Sequence, residues 1–330
     1  MTRAVVGYAA MLEQFAPTEV LELAAVAEQH GFDGVLAADH FQPWTPQQGQ
    51  ASFVWNVLSA LGQRTRGGLG TVTTPTFRYH PAVVAQASAT LEAMYPGRHW
   101  LALGSGEALN EHVVGQYWPD APERIDRMFE ALDIIRKLFT SGVTGKDVRH
   151  EGRYYRLEST RLWTAPATPP PIHVAASGPV TARRAGRVAD GIITETAPPE
   201  KLAALFQRFD EGAREAGRRG GARILRAHVS WAPTDEEAAR NALAEWPTLG
   251  LRFPKADIRS PFEIDQMARM VTPAHFEGRL LVSADPDVHR AYLQGFLDLG
   301  VDRIHLHNVG RNQREFLEVF GRDVLPGLTR

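Results

Sequence analysis

The sequence predicts an α/β protein folded as a closed (β/α)8 TIM barrel, and three observations carry that expectation. Short apolar runs alternate with helix-periodic segments along nearly all of the 330 residues, an order that implies a parallel sheet with helices outside it. Eight such runs can be counted, the number that closes a barrel. The segment Ala38-Asp39-His40-Phe41-Gln42-Pro43-Trp44 sets a carboxylate, an imidazole and an indole where the second run ends. Barrels keep their reactive groups at the carboxyl ends of strands.

Taken in order, Ala4 to Ala10 reads as the first strand. Thr18 to His30 reads as the first helix, with Thr18 as N-cap and Gly31 as the stop. The pattern then repeats as strand 34 to 40 and helix 53 to 64, strand 68 to 73 and helix 81 to 94, strand 99 to 104 and helix 123 to 140. Strands follow near 172 to 176, 190 to 194, 224 to 231 and 303 to 308, with helical runs at Leu202 to Ala216 and Val288 to Leu299. An open dinucleotide-binding sheet fits less well. After Gly104-Ser105-Gly106 its fingerprint needs a third glycine where Leu109 stands. Two stretches, 142 to 171 and 247 to 285, exceed a minimal barrel and are expected to wall the site. The whole chain is read as one barrel domain.

Adjacent strand residues point to opposite faces, so Asp39 and His40 share a site only if the strand has broken before them. Pro43 supports that break. Lysine plus arginine numbers 36 against 38 acidic residues, a net charge of -2, which argues against a nucleic-acid or polybasic membrane surface. There is no cysteine, hence no disulfide, thiolate metal site or cysteine nucleophile. No signal pattern and no bilayer-length apolar run is seen, so a soluble cytoplasmic protein is expected.

Glu107 follows two glycines at the end of the fourth strand. A buried glutamate there holds a proton to unusually high pH, whereas an ordinary helix-start glutamate needs no function. Ala176-Ser177-Gly178-Pro179-Val180 reads as a strand-to-helix turn with Pro179 at the first helical position. Amides exposed at such a start can bind an anion. His305-Leu306-His307 raises a rival reading, a metal-dependent hydrolase. The other candidate ligands, His99 and His173, lie at strand starts, the wrong end of a barrel.

Four motifs in order, Asp39-His40-Phe41-Gln42-Pro43-Trp44, Thr74-Pro75-Thr76-Phe77-Arg78-Tyr79, Gly104-Ser105-Gly106-Glu107-Ala108-Leu109-Asn110-Glu111 and Ala175-Ala176-Ser177-Gly178-Pro179, resemble the F420-dependent glucose-6-phosphate dehydrogenase family. That family is a branch of the bacterial luciferase-like barrels. The resemblance continues to Arg314-Glu315-Phe316-Leu317. It implies the deazaflavin coenzyme F420, a small-molecule sugar phosphate as substrate, no metal, and a homodimer. By it His40 is the general base that takes the proton of the sugar C1 hydroxyl, a task suited to an imidazole near neutrality. Trp44 stabilises the charge that results, and Glu107 protonates the reduced ring. Asp39, Thr74, Ser105, Gly106 and Asn110 would contact the ring or its chain; Ala176, Ser177, Pro179 and Val180 would hold the phosphodiester tail.

Substrate contacts implied by the resemblance are Thr194, Lys255 and Arg279, while a further family lysine is replaced by Ala197. Losing that cation beside Glu195 is expected to weaken a dianionic phosphate by about 1 to 3 kcal/mol. A non-phosphorylated sugar, a hydroxy lipid or a secondary alcohol is therefore the alternative substrate, and an FMN monooxygenase a more remote one. The family's barrels tend to carry a non-proline cis peptide in the third strand, for which Thr71-Val72 is the candidate bond.

Overall fold

A computed structural model describes residues 2–330. Eight parallel strands form the barrel: β1 (Val5–Ala10), β2 (Gly34–Ala38), β3 (Gly68–Thr73), β4 (His99–Leu103), β5 (Ile172–Ala175), β6 (Gly191–Glu195), β7 (Ala222–Ser230) and β8 (Arg303–Asn308). Each pairs with the next, and β8 pairs with β1, from Val5↔Arg303 to Tyr8↔Leu306, so the sheet closes. A closed sheet leaves no unpaired edge.

Helices wrap the outside in the expected order, beginning with Pro17–Gln29, Val54–Arg64, Pro81–Met94 and Ala121–Thr144. Pro17, and not Thr18, opens the first helix: its fixed φ suits the first turn, which shifts the cap position to Ala16. Gly31 ends that helix with φ 89°, a left-handed conformation open to glycine at little cost. The long fourth helix starts two residues earlier than its apolar pattern suggests, because the Asp120 side chain accepts a hydrogen bond from the Glu123 amide.

Two cores result. The larger lies between the sheet and the helices. The smaller lies inside the barrel, where Leu36, Trp100, Ala102, Ile193 and Ile224 meet. Trp100 fits there because Gly70 faces it; a Cβ at position 70 would fall within the indole. Ile193 and Ile224 thereby fix the inward face of β6 and β7, so Glu195, Arg226 and His228 also point inward.

Among the described residues every peptide bond is trans, Thr71-Val72 included. Both residues are paired on both sides, with Ala37 and Ala38 of β2 and with Leu101 and Ala102 of β4, and an extended trans chain keeps that register. The two extra stretches are structured. In the first, Val148–Glu151 and Arg156–Thr160 form an antiparallel hairpin, and Tyr155 donates to the Thr76 carbonyl at 3.0 Å. The second carries the helix Pro261–Ala268 and a short strand, Leu281–Val282, on the edge of β7. Among the described residues no helix is long and apolar enough to cross a membrane.

Candidate active site

β2 ends at Ala38, so Asp39 and His40 leave regular strand geometry as the motif requires. β1 runs beside β2, pairing Ala10 with Ala37. Glu13 and His40, each a few residues past its strand, therefore meet at one corner of the barrel mouth. His40 Nδ1 stands 3.1 Å from Glu13 Oε1, and Glu13 is buried. The Trp44 ring lies 5.4 Å from the imidazole, tilted by 60°. The turn between them is pinned: Phe41 and Gln42 amides donate to Asn110 Oδ1, and the Trp44 amide donates to Gln48 Oε1.

Asp39 is occupied beneath this corner. Its carboxylate accepts from Thr73 Oγ1 at 2.6 Å and Tyr79 at 3.3 Å, and Arg78 lies 3.4 Å away. Arg78 also bridges to Glu111 at 3.1 Å. Burial pushes the Glu111 carboxyl up, against the pull of Arg78. Asp39 and Asn110 thus brace the mouth through their side-chain oxygens.

Two strands along from β2, β4 runs out into Gly104-Ser105-Gly106-Glu107. Gly106 has φ 85°, and a Cβ there would sit 2.8 Å from Thr74 Cγ2. Only glycine fits, which leaves a backbone bed with half-buried Ser105 beside it and buried Thr74 below. Glu107 stands at the N-cap of the turn Ala108–Glu111 but makes no capping hydrogen bond. Burial raises its carboxyl above the ordinary range, opposed by His40, Lys255 and Arg226 and reinforced by Glu195. The ordinary helix-start role is therefore not the one it plays.

The segment 247 to 285 closes the third side. The Ala108 amide donates to the Ala256 carbonyl at 2.7 Å, and Asp257 receives Trp118 and Arg124. This anchors Lys255, whose ammonium lies 5.8 Å from the Trp44 ring centre and donates to the Thr248 carbonyl. Arg279 donates to the Leu251 carbonyl at 2.9 Å. Burial lowers the Lys255 pKa; Glu195 and Glu107 oppose that shift and Arg279 adds to it.

Strand alternation separates the remaining candidates. Thr194 pairs with Leu225 and turns to the helix side, while Glu195 takes the inward position. Glu195 is not a bare negative charge as the sequence suggests: Arg226 on β7 pairs with it. Although burial opposes ionisation, Arg226 and His228 hold its carboxyl well below the usual range. His228 Nδ1 is 2.8 Å from His307 Nδ1, so one ring donates and the other accepts. His305 instead packs 5.3 Å from Trp100, lower in the barrel. The H-x-H pair is thus divided between two sets of neighbours. Among the described residues no group of three or more ligating side chains converges.

At the end of β5, the helix Pro179–Val188 begins at Gly178 without a side-chain cap, which leaves its first amides free. A Cβ at Gly178 would meet nothing within 4 Å, so the space before those amides is open. Ala176 is buried, and Ser177, Pro179 and Val180 are exposed around it. The mouth therefore offers a glycine-lined bed beside a half-buried acid, and an anion-accepting helix start. A flat ring with an anionic tail fits both features. Glu13, Arg226 and His228 were missed in the motifs; the inward alternation Ile224, Arg226, His228 was the available signal for two of them.

Comparison with known proteins agrees with this geometry. The model of the luciferase-like monooxygenase family matches residues 1–303. An F420-dependent glucose-6-phosphate dehydrogenase from Nakamurella multipartita is 42% identical, over 98% of this chain and 96% of that protein. One from Microbacterium testaceum is 40% identical, over 98% and 97%. Among solved structures, an F420-dependent secondary alcohol dehydrogenase in complex with an F420-acetone adduct aligns with a TM-score of 0.92 at 31% identity, covering 100% of both chains. The F420-dependent tetrahydromethanopterin reductase of Methanopyrus kandleri, 19% identical with a TM-score of 0.80, shares the fold over 99% of this chain and 100% of its own. The chain belongs to the luciferase-like family, in the branch of the F420-dependent glucose-6-phosphate dehydrogenases.

Proposed function

We propose that this protein oxidises the C1 hydroxyl of a sugar 6-phosphate to the lactone and passes the hydride to F420. The observation that carries the reading is the placement of His40 against Glu13 at the mouth, with half-buried Glu107, whose carboxyl desolvation raises, near it at the end of β4. Oxidation removes a proton from the hydroxyl oxygen and a hydride from the carbon. His40 takes the proton, and Glu13 positions the imidazole and balances its charge. Trp44 walls the reacting centre with an apolar face. Bound F420 supplies the hydride acceptor. Gly106 lets a flat ring approach the backbone, Glu107 holds a proton beside it, and the helix start at Gly178-Pro179 accepts the anionic tail.

Lys255 and Arg279 give the mouth its positive end. Two relatives of about 40% identity carry the name of a glucose-6-phosphate enzyme, which supports the phosphorylated substrate. A second reading, oxidation of a secondary alcohol, rests on the 0.92 structural match to an F420-dependent enzyme of that class. The reading also includes one barrel domain over the whole chain, a cytoplasmic location and a homodimer, the last testable by light scattering.

The test is F420 reduction, followed as loss of deazaflavin absorbance, with glucose, fructose and mannose 6-phosphates, free glucose and 2-propanol in parallel. Turnover with a sugar phosphate is expected. Turnover with 2-propanol or free glucose alone would replace the first reading with the second.

A further inference from the structure

Arg226 is the cation in the mouth that the sequence motifs do not account for. Its side chain is 19% exposed, and its one protein hydrogen bond goes to Glu195. A guanidinium carries five N–H donors. None of its remaining nitrogens is sealed from solvent without a partner, so its free donors open into the mouth. Glu195, 54% exposed at the side chain, binds Arg226 through Oε1. By contrast, Lys255 and Arg279 already donate to backbone carbonyls of Thr248 and Leu251.

Lys255, Arg279 and Arg226 bring three cations to this part of the mouth, with the acidic side chains of Glu195, Glu13 and Glu107 facing Arg226. We propose that Arg226 is a specificity-determining residue that binds the substrate's phosphate, supplying from β7 the cation missing at Ala197, and that Glu195 holds the guanidinium in place until the phosphate competes for it. An arginine suits this task because its planar fork matches two phosphate oxygens. The inference rests on the sugar-phosphate reading above.

The test is calorimetric binding of inorganic phosphate, glucose 6-phosphate and free glucose to the full chain, alongside steady-state kinetics with F420. R226A is expected to weaken phosphate and glucose 6-phosphate at least tenfold and to raise KM for glucose 6-phosphate by a similar factor, with free-glucose binding changed less than threefold. R226K should recover part of the loss, which separates lost charge from misfolding. E195Q, which removes the competing charge, should bind inorganic phosphate at least as tightly as the wild type. Unchanged phosphate binding in R226A, an equal loss for glucose and glucose 6-phosphate, or weaker phosphate binding in E195Q would each overturn the proposal. A wild-type enzyme that binds phosphate through Arg226 yet reduces no F420 with any sugar phosphate would instead defeat the functional reading.

Discussion

Glu13 Oε1 and His40 Nδ1 stand 3.1 Å apart, joining two residues that lie 27 positions apart in the chain and meet only because β1 and β2 are neighbours. The pair is out of line for a hydrogen bond, and Glu13 Oε2 has no partner. Such contacts tighten when substrate arrives. With the Glu13 carboxylate beside Nδ1, Nε2 is the nitrogen left to take a substrate proton.

If Glu13 positions His40, E13Q lowers kcat by roughly 10- to 100-fold and changes KM by less than about threefold. Steady-state kinetics at fixed pH check this. A KM effect larger than the kcat effect would make Glu13 a substrate ligand instead.

His40→Ala removes the base itself. A loss in kcat of about 10²- to 10⁴-fold is expected, with the F420 dissociation constant, read by fluorescence titration, within about twofold of wild type. Undiminished turnover would reassign the base.

Glu107 carries a stability signature. Its carboxyl is raised by burial above the ordinary 4.5, so the folded state binds the proton more tightly than the unfolded chain does. Stability is then lost as pH rises from the unfolded value through the folded one. E107Q, neutral at every pH, should melt roughly 1–3 °C above wild type at pH 7, with the gap closing below about pH 4. Equal melting at pH 7 would mean Glu107 is not held protonated.

Buried histidines act in the opposite direction. Burial lowers His305 to about 3 and His173 and His99 to about 4. Their neutral forms contribute stability fully above the unfolded value near 6.5, and this is lost as pH falls toward 4. The melting temperature should drop steeply across that window. H305N should flatten the drop; an identical slope would show that His305 does not titrate with unfolding.

Sequence made the barrel legible because its strands are buried on both faces and read as short apolar runs; β3 and β8 fall on the expected residues, and most other boundaries move by one to three. Local chemistry was legible too: the break after Ala38, the proline start at Pro179 and the strained Gly106 follow from their own neighbourhoods. What stayed hidden depends on closure. Glu195 reads as a repulsive charge until β6 and β7 pair and bring Arg226 beside it. The hold of Asn110 Oδ1 on the Phe41 and Gln42 amides is likewise invisible until the ends of β2 and β4 meet. Thr194 and Glu195 differ by one position, and only the register decides which faces the mouth.

The most direct measurement is mass spectrometry of F420 after turnover with glucose 6-phosphate deuterated at C1. Hydride transfer from that carbon places one deuterium on the reduced coenzyme and yields the lactone or its hydrolysis product. Reduced coenzyme without deuterium, or no reduction at saturating substrate, would contradict C1 oxidation by this site.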